Sequence, residues 1–88
     1  MITAKVVGSI WATRKSELLN GHRLMLVEVI GGKEAGKRMV AVDVIGAGVD
    51  TRVLVTTGGS ARKMLGDNES PADAAIVGII DDDCQFEE

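Results

Sequence analysis

The feature that most limits how this chain can fold is a repeated one: short runs rich in β-branched residues, each cut off by a glycine-bearing turn. Branching at Cβ suits a pleated, half-buried surface, and glycine ends an element by freeing the backbone to turn. Ile2 to Ile10 reads as a first strand centred on Val6 and Val7. Arg23 to Ile30 is the clearest. Two-residue alternation puts Leu24, Leu26 and Ile30 on one face and Met25, Val27 and Val29 on the other. Both faces are apolar, so this strand is expected to be covered on each side, by its own core and by something else. Arg38 to Ile45 follows, with Val40, Val42 and Val44 on one face and Met39, Ala41, Asp43 and Ile45 on the other. Arg52 to Thr57 and Ala74 to Ile80 complete the set.

The punctuation agrees with these runs. Asn20-Gly21 and Gly31-Gly32 are turn signals, and Glu34 to Lys37 extends the second into a polar hairpin loop. Gly46-Ala47-Gly48 breaks the chain between two strands. Ser60 to Leu65 predicts the one helix, capped by Ser60 and ended by Gly66, and Asp67 to Pro71 follows as a polar loop. Five or six short strands with one short helix point to an all-β class, a small barrel or sandwich. No repeat, linker or low-complexity segment divides the chain, so residues 1–88 read as one domain ending in a short acidic tail.

Size leaves that domain a modest core, to which neighbouring chains could add burial. A chain of 88 residues hides only about 60–65 % of its unfolded surface on folding. A net charge of −3 argues against a surface built to neutralise phosphate. Single-stranded nucleic acid is commonly read by stacking aromatics, and Trp11 and Phe86 are the only two here. The single cysteine, Cys84, permits no internal disulfide and suits a reducing cytosol. The N-terminus lacks signal-peptide character, and no apolar run approaches the roughly 20 residues of a membrane span. A cytoplasmic location is expected, with no membrane partner.

The residues able to carry chemistry are few. His22, the only histidine, follows a turn signal and reads as a solvent-facing turn residue. Cys84 stands among Asp81, Asp82, Asp83, Glu87 and Glu88, whose charge opposes thiolate formation. The three consecutive aspartates point to alternate faces if extended, which does not surround a cation. Gly59 and Ser60, before Arg62, form a possible anion site at a helix start, although glycines before a capping serine are also simply how helices begin. The spacing is not that of a phosphate-binding loop. Asp43 interrupts an apolar strand face, so a backbone N–H or an arginine is expected to satisfy it. No cofactor, metal or catalytic residue is assigned, and the chain reads as a non-enzyme.

Three segments taken together resemble the EutN/CcmL family of bacterial microcompartment vertex proteins. They are Val7-Gly8-Ser9-Ile10-Trp11-Ala12-Thr13-Arg14-Lys15, the stretch from Ala41 through Gly46-Ala47-Gly48 to Gly58-Gly59-Ser60-Ala61-Arg62, and Pro71 to Asp81. Order and spacing match over nearly the whole chain. Two departures stand out. Asp50-Thr51 replaces the family's usual Gly-Glu, and Gly59 replaces the first serine of a Gly-Ser-Ser-Ala-Arg stretch. Asp tolerates positive φ less well than Gly, so the first departure bears on turn geometry.

The resemblance implies an OB-like closed β-barrel, assembled as a cyclic homopentamer at the vertices of a polyhedral shell, with hexameric shell proteins around it. It places Gly46, Ala47 and Gly48 near a central opening; a separate reading adds metabolite passage through that opening, in which case a bulky residue at Ala47 would reduce flux without disturbing assembly. It makes Asp43, Arg62 and Asp73 turn-fixing or subunit-contact residues. Trp11 and Arg14 would pack within the barrel rim or against neighbours. The alternative is an OB-type domain binding a small ligand, through Ser60, Arg62 and Asp43, or a nucleic acid.

Overall fold

Alternation along the strands decides which side of each becomes core. In the computed structural model, which describes residues 1–11, 22–66 and 73–81, the elements are β1 (Ile2–Ile10), β2 (Arg23–Val29), β3 (Arg38–Asp43), β4 (Arg52–Thr57), α1 (Gly58–Met64) and β5 (Ala74–Ile79). β2 buries Met25, Val27 and Val29 and leaves Leu24 and Leu26 half-exposed on its other side. β1 buries Ala4 and Val6, and β4 buries Val53 and Val55.

The strands close into a barrel in the order β1-β2-β3-β5-β4. Ala4 of β1 lies opposite Val29 of β2 on one side and Val53 of β4 on the other. β3 and β5 are parallel, with Val42 opposite Ala75, while β4 pairs with β5 antiparallel. This is the OB-like closed barrel with one short helix that the sequence implies. Its interior gathers Ala4, Val6, Met25, Val27, Ala41, Ala47, Val53, Val55, Ala74 and Ile76. A fully buried Val- or Ile-sized side chain contributes about 1.5–3 kcal/mol, so among the described residues this aliphatic- and Met-lined cluster is the main source of stability. Trp11 stands outside it, 92 % exposed.

Three strands end earlier than their composition suggests. β2, β3 and β5 stop at Val29, Asp43 and Ile79 rather than at Ile30, Ile45 and Ile80. The reason is clearest at β3, where the Asp43 carboxylate captures the N–H groups of Ile45 and Gly46. These donors turn toward a side chain instead of continuing a ladder.

The helix also starts earlier than expected. It covers Gly58–Met64, its N-cap is Thr57, and no side-chain cap hydrogen bond forms. Ser60 therefore lies in the first turn rather than capping it. β4 runs directly into the helix because Gly58 adopts φ +65°, a left-handed conformation that glycine takes without penalty. Its N–H donates to the Asp73 carbonyl at 2.7 Å, which ties the turn to the start of β5. At the other end Gly66, at φ +75°, donates to the Lys63 carbonyl and stops the helix where the sequence predicts. No helix among the described residues is long and apolar enough to cross a membrane.

Candidate functional site

The most organised non-repetitive segment is the loop from Val44 to Thr51, which crosses one end of the barrel. Asp43 anchors its start. The Asp43 side chain is fully buried, and its Oδ1 accepts from the Ile45 and Gly46 N–H groups at 3.0 Å each. Its Oδ2 lies 3.4 Å from Nη1 of Arg23, the cross-strand neighbour, without hydrogen-bond geometry. Arg23 is 59 % exposed at its side chain, so solvent screens that ion pair. The two backbone hydrogen bonds are the stronger restraint.

The far end of the loop latches onto β1. Asp50 N–H donates to the Val6 carbonyl at 2.8 Å, and Val6 N–H donates to the Thr51 carbonyl at 2.9 Å. The β1–β2 register shifts between Val6 and Gly8, beside this attachment. Lys5 Nζ lies 3.7 Å from Asp50, both side chains well exposed. Neither contact is readable from the sequence, because loop and strand are remote along the chain.

Held at both ends, the loop turns Ala47 inward. Ala47 is fully buried and belongs to the core cluster, whereas Gly46 and Gly48 are exposed. The expectation that a bulky residue at Ala47 would only narrow an opening is thereby corrected. Added volume at this position meets packed core first.

Asp50 adopts φ +70°. A left-handed residue with a Cβ costs roughly 1–2 kcal/mol, less for Asp than for most. Asp50→Gly is therefore expected to unfold at or slightly above the wild-type midpoint. Asp50→Val, β-branched at positive φ, is expected to lose about 1–2 kcal/mol. Thermal unfolding of the three proteins at one concentration checks the order, and equal midpoints would show that the turn relaxes.

The other expected positions are dispersed. Gly59 and Ser60 are exposed at the start of α1, and a Cβ built at Gly59 would lie 3.9 Å from Arg62 Nη2. Asp73 contributes through its carbonyl to Gly58. Trp11, at the end of β1, is too exposed to be packing within the rim of its own barrel. His22 is half-buried rather than solvent-facing, and lines a hollow of about 290 Å³ with Ser9, Trp11 and Arg23. The Asp81 carbonyl accepts from Arg52 Nη2 at 2.7 Å. Arg14, Cys84, Asp82, Asp83, the Asn20-Gly21 turn and the Asp67 to Pro71 loop lie outside the described residues. Among the described residues no group of three His, Cys, Asp or Glu could hold a metal ion.

An ordered loop over a closed barrel, with apolar residues left on the outside, is a geometry suited to association. Residues 1–81 match the family described as "Ethanolamine utilisation protein EutN/carboxysome". The chain belongs to the EutN/CcmL family. It is 43 % identical over 83 residues to the carboxysome shell vertex protein CcmL of Synechocystis sp., covering 92 % of this chain and 83 % of that relative. It superposes on the pentameric microcompartment shell protein GrpN of Rhodospirillum rubrum with a TM-score of 0.81 at 38 % identity, covering 98 % of this chain and 100 % of the other. A pentameric shell protein of the RMM microcompartment gives a TM-score of 0.84 at 35 % identity, with 100 % and 99 % coverage. In this EutN/CcmL chain, Asp43 and the Val6 attachment are the restraints that shape the loop.

Proposed function

We propose that five copies of this chain close into a ring that caps a vertex of a bacterial microcompartment shell in the cytoplasm. The observation that carries this reading is similarity along essentially the whole chain to proteins named as pentameric shell proteins, in sequence and in fold. The role is structural: the subunit shapes a surface and catalyses nothing. Residues 1–88 act as one barrel unit with an acidic end.

The ring is heterologous, one surface of a copy meeting a different surface of the next, as cyclic symmetry above twofold requires. The exposed Gly46 and Gly48 are the members of the loop able to approach a ring axis. The outer edge of the ring meets hexameric shell proteins that tile the facets.

Light scattering coupled to size exclusion tests the ring. Five copies of 9.3 kDa give a mass of about 46 kDa. A species near that mass supports the vertex reading. A monomer at every concentration overturns it and favours a ligand-binding barrel.

A further inference from the structure

Among the described residues nothing requires a glycine at position 8. It sits in β1, where glycine weakens a strand by adding backbone freedom and removing a side chain from the packing. Its φ lies outside the left-handed range, so the backbone does not demand glycine. Among the described residues a Cβ built on it meets nothing within 4 Å, so crowding there does not demand it either. Glycine inside a strand also marks places where another chain approaches closely.

The surroundings of Gly8 say what kind of surface this is. Leu26 stands opposite it on β2, and Val40 stands opposite Leu26 on β3. Ile10 and Leu24 form the next row of the same outward face. Met25 and Val27 of β2 point into the core, so Leu24 and Leu26 point away from it. Ile10 is 36 % and Val40 47 % exposed. Gly8 thus leaves a hollow beside Leu26, on a sheet face where Ile10 and Val40 stay exposed while Val42, opposite Leu24, is covered.

We infer that the outward face of β1, β2 and β3, centred on the Gly8 hollow, receives an apolar side chain from the next copy in the ring. The inference rests on the pentameric reading above, which supplies the occupant: chains 35–38 % identical along their length associate with copies of themselves. An apolar face of this kind needs a partner of like character, since water is a poor solvent for it. The hollow adds shape to that requirement, because a side chain from outside fills the volume that Gly8 leaves vacant.

The test is Gly8→Val, which fills the hollow from within. No described residue opposes it, and valine suits a strand better than glycine. The variant is expected to keep the wild-type circular dichroism and a cooperative unfolding transition. Its mass is expected to fall about fivefold, from the ring to a single copy of 9.3 kDa. Leu26→Glu, which places a charge on the same face, is expected to do the same and decides the matter should Gly8→Val not fold. Gly59→Ala, on the exposed start of α1, should keep the ring. Retention of the ring by folded Gly8→Val and Leu26→Glu overturns the inference while leaving the vertex reading intact. A monomeric wild-type protein removes the vertex reading, and this inference with it.

Discussion

Asp43→Ala is expected to lower the stability of the folded subunit by about 2–3 kcal/mol. The side chain is fully buried and accepts two backbone N–H groups. A hydrogen bond to a charged group contributes about 1.5–3 kcal/mol net, less where water replaces the lost partner. Ile45 and Gly46 are exposed, so water recovers part of the loss, and about 1 kcal/mol remains for each bond. The screened Arg23 pair adds under about 1 kcal/mol. For a domain of this size the melting midpoint should fall by roughly 10–20 °C. Asp43→Asn, which keeps one carbonyl oxygen as acceptor, should lose less than half as much. Arg23→Ala should lose less still. Midpoints measured at one protein concentration separate these contributions, since assembly makes stability concentration-dependent. An Arg23→Ala effect as large as that of Asp43→Ala would transfer the main restraint from the turn to the ion pair.

Ala47→Leu is expected to cost about 2 kcal/mol, because extra carbons forced into a filled core displace their neighbours. Ala47 has no exposed surface and packs with the barrel interior. Gly48→Ala supplies the contrast. A Cβ at Gly48 comes no closer than 3.8 Å, to Thr51 Oγ1, so that variant should lie within about 0.5 kcal/mol of wild type. One loop therefore contains an intolerant and a tolerant position side by side in the chain. Equal unfolding midpoints for the two variants would show that the loop yields and that Ala47 is not a plug. The same result bears on transport measurements, because a flux change in Ala47→Leu would carry a folding defect with it.

Much of the architecture was legible locally. Alternating Met25 and Val27 against Leu24 and Leu26 marks β2 as apolar on both faces, and the barrel uses one face for its core. Gly32 and Gly36 turn the chain between β2 and β3 where expected, and Gly66 ends the helix. The start of the helix was not legible, because a serine after two glycines looks like a cap. Gly58 instead finds its partner in Asp73, just ahead of the neighbouring strand β5 and remote from it in sequence. The direction of Ala47 was hidden for the same reason. Small residues between glycines suggest an exposed turn, and only the bonds from Asp50 and Thr51 to Val6 press that turn onto the barrel.

By itself the sequence determined where strands form, which of them carry two apolar faces, and the ordered motifs shared with the EutN/CcmL family. These follow from side-chain periodicity and turn chemistry, which act over a few residues. The tertiary structure decided the parallel closure of β3 on β5, the inward turn of Ala47, and the position of Gly8 amid Leu26, Val40 and Ile10. Each depends on residues distant in the chain becoming neighbours, and hydrogen bonds and packing across the barrel set those neighbours.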